Sequence, residues 1–366
     1  MSRSLVALLL ALVLDASGAG EPWVCPPCDP AHYDKTYDRP GTCPVCGMQL
    51  VRKDEKDEMK NVAILLFEGV QIIDYAGPYE VFGQVHGLQV YTVSETGKTL
   101  TTAMGMSVTP KHSFASAPRP DVLVVPGGNA QAAWENARVI AWVTDKAATA
   151  EHVLSVCNGA FILARAGLLD GKRATTFYGL IDELRTFAPK TAVVADQRFV
   201  DNGKIVTSAG LSSGIDAALH VVSKMRGEVA ARELALHLEY DWDPESKFAR
   251  AALADRRLPA IAPPAGAVTT VVSTSGDRDR WEKRYRVATG MPLADLRRYV
   301  LEAVSALDGW SRDGEAAAQE SRDRAAWRVA DRDGSRWRAT STVEPDGSGA
   351  YLVTFRIERT SARPAS

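Results

Sequence analysis

The chain has 366 residues, 46% hydrophobic and 24% charged, so it is long enough to bury a core and to divide into two or three units. A formal net charge of −2 with a pI near 6.3 gives no basic footprint, which argues against nucleic acid as a partner. Residues 1–19 open with one arginine, continue through an apolar run from Leu5 to Leu14, and end on the small residues Ser17, Gly18 and Ala19. That is the pattern of a signal peptide cut near Ala19, and it implies an exported protein, periplasmic or secreted. The apolar run is shorter than the roughly 20 residues a bilayer span needs, so no stable membrane span is expected.

Residues 22–51 carry two Cys-x-x-Cys knuckles, Cys25-Pro26-Pro27-Cys28 and Cys43-Pro44-Val45-Cys46, with fourteen residues between them. Each knuckle can turn two thiolates toward one ion, and four thiolates complete the closed tetrahedral shell of a structural zinc site. A unit this small needs a staple, and in an oxidising compartment two disulfides would serve as well as a metal. Pro40 through Val51 resembles the heavy-metal-binding module found beside copper transporters and efflux proteins. In that family the first knuckle often ends in His after Met; Pro27 and Cys28 replace them here, which shifts the balance from copper(I) toward a structural zinc cofactor. His32 and Met48 are further candidate ligands. The charged run Arg52–Glu58 reads as a linker that contributes nothing to a core.

Residues 59–255 alternate strands with helices. Val62–Phe67 and Val122–Val125 are continuous apolar runs closed by Gly or Pro, as in strands buried on both faces of a parallel sheet. Helical patterns follow over Arg138–Ala150, Gly159–Ala166, Tyr178–Phe187 and Ser213–Met225, the last with a cap at Ser212 or Ser213. The class is α/β, a doubly wound, mostly parallel, flavodoxin-like sheet whose sites lie at the carboxyl ends of its strands. His152–Val156 is a strand that turns abruptly into a helix at Cys157, an elbow geometry that raises a nucleophile above the sheet and sets it against a helix N-terminus. On that ground Cys157 is expected to be a low-pKa thiol. The histidines at 86, 112, 152, 220 and 237 fall in no ligand or triad pattern and read as structural.

Pro259–Gly266, with three prolines, reads as a second boundary. Beyond it, residues 267–360 predict a small α+β unit of accessory role. Its strands are Ala267–Ser273 and Trp281–Ala288, then a helix from Pro292, then two strands joined through the Asp333-Gly334 and Asp346-Gly347 turns. Leu293, Leu296, Val300, Val304 and Leu307 share one stripe of that helix, and Gly309 ends it. Trp310, Trp327 and Trp337 are assigned to the core rather than to a ligand surface. No pair of DNA-binding helices is legible there.

The elbow Ser155–Gly171 resembles that of ThiJ/PfpI proteins. Three other segments resemble theirs in the same order: Phe67–Glu80 with Asp74, Pro126-Gly127-Gly128, and Thr207–Asp216. The branch most resembled holds isonitrile hydratases and the amidase-like halves of AraC-type regulators, which carry an acid at the position of Asp74. The resemblance implies a Cys157 nucleophile with Asp74 beside it as acid or base, and backbone amides at Gly128 and Asn158 that hold developing negative charge. Isonitrile hydratases have Thr after the cysteine where this chain has Asn158. Phe177-Tyr178 stands where many of the regulators have His-Trp. Two functions follow: a cysteine-dependent hydratase or hydrolase of a small molecule, or a non-catalytic periplasmic sensor of ligand, redox state or metal. A homodimer is compatible with either.

Overall fold

The computed structural model describes residues 22–24, 35–44, 50–53, 59–85, 87–246, 248–313, 324–330 and 334–360. Among these, contacts separate two compact units, one running to Val193 and resuming over Phe199–Glu245, the other formed by Val194–Arg198 and the chain from Ser246. The second boundary therefore lies before the proline run, because Ala254 is buried in the core of the second unit and its N–H bonds Asp277 O.

The N-terminal module is a three-stranded antiparallel sheet in which β1 (Trp23–Val24) pairs with both β2 (Thr36–Tyr37) and β3 (Val51–Arg52). Arg52, expected in the linker, is instead a strand residue opposite Trp23, with its guanidinium over that ring. Cys25, Cys28 and Cys46 lie outside the described residues; Cys43 is buried.

The α/β unit is built from β4 (Lys60–Leu65), α1 (Ile72–Gly83), β5 (Leu88–Ser94), β6 (His112–Ser113), β7 (Val122–Val125), α2 (Gln131–Glu135), α3 (Ala137–Thr149), β8 (His152–Val156), α4 (Gly159–Arg165), α5 (Ile181–Phe187), β9 (Phe199–Asn202), β10 (Ile205–Ser208), α6 (Ser212–Arg226) and α7 (Glu228–His237). Its seven strands run in the order β9-β10-β8-β7-β4-β5-β6, all parallel except β9, which pairs antiparallel with β10. All four residues of β7 are buried, and since successive side chains point to opposite faces, both faces of the sheet are covered. The strand order reverses between β4 and β7, and the loops leaving β4, β7, β8 and β10 meet there.

The second unit holds β11 (Val268–Gly276), β12 (Arg280–Ala288), α8 (Leu293–Ser305), β13 (Trp310–Arg312), β14 (Arg324–Ala330), β15 (Arg336–Pro345) and β16 (Tyr351–Arg359). The strands form one antiparallel sheet in the order β11-β12-β16-β15-β14-β13. Four described strands follow α8, not two, since Trp310–Arg312 is itself a strand and the strand Arg336–Pro345 pairs on both sides. Leu296, Val300 and Val304, one turn apart on α8, pack in the same cluster as Trp327, Trp337, Val353 and Ile357. The indole N–H groups of Trp327 and Trp337 bond Ser305 Oγ at 3.0 Å and Ser335 Oγ at 2.7 Å, so both rings sit in the core with their polar edge satisfied.

Candidate active site

The elbow forms where expected. Cys157 follows β8 with φ at +57°, a left-handed conformation that bulky side chains adopt only when the surroundings enforce it. Its backbone is held from two sides: its N–H bonds Ser208 O at 3.1 Å, and Thr176 Oγ donates to its carbonyl at 2.9 Å. A Cβ at Gly159 would stand 2.1 Å from Val125 O, and one at Gly210 would stand 2.6 Å from Cys157 Cβ and 3.1 Å from its sulfur. Both glycines are therefore required by close approach.

Asp74, in the first turn of α1, is fully buried and spans three loops. One carboxylate oxygen accepts from Gly127 N–H at 3.2 Å, the other from Leu211 N–H at 3.0 Å, and the Cys157 thiol hydrogen-bonds the same carboxyl. Burial raises Asp74 from 3.8 to about 6 against the opposing pull of those two amides and the thiol. Burial likewise pushes the Cys157 thiol well above the usual cysteine value, and the Asp74 charge beside it adds to the rise, while the Asn158 amide opposes it. The expected low-pKa thiol is thus reversed. A helix of seven residues offers a small dipole, and an adjacent carboxylate outweighs it inside a low-dielectric core.

The expected pair of backbone donors is also corrected. Gly128 N–H is occupied by Asn158 Oδ1 at 2.8 Å, and Asn158 Nδ2 returns a bond to Gly128 O at 2.8 Å. This two-way clamp pins the Gly127-Gly128 turn to the elbow, so the Asn158 side chain positions the site and is not a mobile proton carrier. The Asn158 backbone amide faces the Cys157 sulfur.

Sequence reasoning gave no role to Leu211, Gly127, Gly210 or Thr176. Gly210 stood inside a recognised segment and its glycine was the available signal. Leu211 stood in the same segment, but its residue type gave no sign of its conformation: it takes φ +53° as the residue preceding α6, which leaves that helix without the expected serine side-chain cap, and it aims its N–H at Asp74. Of the described histidines, His220 pairs with Asp201 at 2.9 Å and His112 packs edge-on against Tyr91. His86 lies outside the described residues. Among the described residues no cluster of three metal-ligating side chains forms, and no helix is long and apolar enough to cross a membrane.

A parallel sheet with a cysteine elbow and a buried acid at its strand-order reversal defines a class, and the comparisons agree with it. Residues 60–224 match the DJ-1/PfpI family, and residues 23–53 match the heavy metal binding domain. An isonitrile hydratase from Pseudomonas putida is 36% identical over 180 residues, which cover 49% of this chain and 78% of that protein. The transcriptional regulator GbdR of Pseudomonas aeruginosa is 25% identical over 174 residues, 46% of this chain and 47% of the regulator, so the chain spans about half of its length. A solved ThiJ/PfpI family protein from Pseudomonas syringae aligns at 33% identity and a TM-score of 0.48, covering 51% of this chain and 78% of that one. The chain belongs to the DJ-1/PfpI family.

Proposed function

We propose that this protein is an exported cysteine-dependent hydratase or hydrolase of small molecules, with isonitriles as the first substrate class to test. The observation that carries this reading is the Asp74 carboxyl, fixed by two backbone amides and in hydrogen-bond contact with the Cys157 thiol. A thiol held protonated is a weak nucleophile until its proton has a place to go, and Asp74, poised near 6, supplies that place at neutral pH.

For an isonitrile the steps balance as follows. Sγ bonds the terminal carbon while its proton passes to Asp74, which delivers it to that same carbon, giving a thioimidate. Water then adds to the carbon, one of its protons goes to nitrogen, and the C–S bond breaks as the remaining hydroxyl proton passes to the leaving sulfur. The product is an N-substituted formamide, with the thiol restored. The Asn158 amide is the donor nearest the charge that develops during these steps.

The test is turnover of isonitriles, nitriles and amides by the wild type, Cys157→Ser and Asp74→Asn. Cysteine-dependent turnover with an acid limb near pH 6, lost in both variants, is expected. Turnover that survives Cys157→Ser, or none with any of these compounds, overturns the reading.

The same proposal assigns residues 1–19 to an export signal and the four cysteines to zinc. Cys43 suits a ligand role: it is buried, with its sulfur 3.7 Å from the Tyr37 hydroxyl. Bound zinc would staple a module too small to hold itself together by burial alone. Native mass spectrometry should find one equivalent of zinc on the mature chain, and two intact disulfides in its place overturn that assignment.

A further inference from the structure

The peptide unit that joins Cys157 to Asn158 is gripped at one end and open at the other. Its C=O accepts from Thr176 Oγ at 2.9 Å, while the helix that follows offers the same oxygen only a long bond from Ala160 N–H at 3.5 Å. Its N–H faces the Cys157 sulfur, and among the described residues no oxygen accepts from it. Gly127 keeps the space in front of that amide clear: a Cβ there would stand 2.8 Å from both Asn158 N and Cys157 Cβ.

Thr176 is itself held. It is fully buried in the loop ahead of α5, and the N–H of its neighbour Thr175 bonds the Thr207 hydroxyl on β10 at 2.9 Å. The Thr176 hydroxyl therefore stands at a place set by the sheet, beside a cysteine whose φ of +57° needs support from its surroundings. A trans peptide is flat and rigid, with its N–H pointing away from its C=O, so a grip on the oxygen fixes where the hydrogen points. The bond also polarises the unit and makes its N–H a stronger donor.

We propose that Thr176 is a positioning residue: it holds the Cys157 carbonyl so that the Asn158 N–H stays aimed at Sγ and at the negative charge that develops beside it. This role rests on Cys157 being the nucleophile of the proposed reaction, and it accounts for how the amide donor of that reaction is kept in place. Without the hydroxyl the peptide plane can turn, by opposite rotations at ψ of Cys157 and φ of Asn158, while the rest of the chain stays where it is. The thiolate then loses its amide donor and forms less readily.

The experiment is alkylation of Cys157 by iodoacetamide at mildly alkaline pH, below the titration of the thiol. The full chain is compared with Thr176→Val, Thr176→Ala and Thr176→Ser by mass spectrometry of the peptide carrying Cys157, and circular dichroism checks the fold. Thr176→Val and Thr176→Ala should slow the reaction about three- to tenfold, since a hydrogen bond to the reacting thiolate is lost and a more basic thiolate recovers only part of the difference through its nucleophilicity. Thr176→Ser keeps the hydroxyl and should recover most of the lost rate. A merely structural bond predicts the opposite sign, because a loosened elbow uncovers a cysteine that is only 8% exposed and alkylation speeds up. A rate that Thr176→Val leaves unchanged or raises overturns the proposal, as does a serine variant as slow as valine; the alanine variant decides if valine does not fold. No substrate takes part, so absent turnover in the wild type refutes the proposed reaction alone and leaves this test in force.

Discussion

Strands β7 and β11 are both rich in valine, and they meet opposite fates. Val122–Val125 is buried at every position, while Val268–Gly276 is exposed at every position. β7 lies inside a parallel sheet covered on both faces; β11 is the outermost strand of an antiparallel sheet with a helix on one face. Valine content therefore reports a preference for extended backbone, and place in the sheet decides burial. The same contrast explains where the chemistry sits. The parallel sheet gathers four loops at its strand-order reversal and can hold a buried acid against a thiol. Among the described residues the antiparallel sheet brings no cysteine against a buried acid.

The largest effect that would break this comparison concerns glycine. Gly159→Ala puts a methyl group 2.1 Å from the backbone oxygen of Val125, so strand and elbow must separate; a loss above about 4 kcal/mol, or failure to fold, is expected in chemical denaturation. Gly347→Ala in the second unit meets open space and bears only the strain of its φ of +78°, about 1 kcal/mol. Equal losses at the two sites would show that the elbow is not the tighter region. Trp327→Ala should cost about 3–5 kcal/mol, read as early unfolding of the second unit while the first keeps its own transition.

Next in size is a pH effect confined to the first unit. Asp74 binds its proton more tightly folded, near 6, than unfolded, near 3.8, so its contribution is fully present below about 4 and is lost as pH rises through 6. The change amounts to at most about 3 kcal/mol between pH 4 and 7, and urea titrations should find it in the wild type and not in Asp74→Asn. Alkylation by iodoacetamide sharpens the same point. The wild-type rate should still be climbing above the pH at which ordinary cysteines level off, and in Asp74→Asn the levelling-off should move to lower pH because the neighbouring charge is gone. A levelling-off that moves to higher pH in Asp74→Asn would mean that Asp74 is a protonated donor to a thiolate. The smallest effect is Val268→Thr on the exposed edge, within about 0.5 kcal/mol for the folding of a single chain.

Much of this was legible beforehand. The apolar runs, the glycine turns and the Cys-Asn-Gly elbow located the strands, the sheet class and the position of the elbow cysteine, because each is a local pattern with a local cause. The helix of the second unit was legible from its stripe. What escaped was whatever depended on a distant partner. The serine cap failed because Leu211 is turned toward Asp74, 137 positions earlier in the chain. Gly128 was read as an open donor, and its amide is taken by a side chain thirty residues on.

The sequence by itself determined the kinds of element, the order of the modules and the residue types at the site, since hydrophobic period, turn chemistry and cysteine spacing act over a few neighbouring residues. Only the tertiary structure decided the state of the site. Whether Cys157 rests as thiol or thiolate depends on how deeply it is buried and on a carboxyl carried in by another helix, and desolvation and charge act through space rather than along the chain.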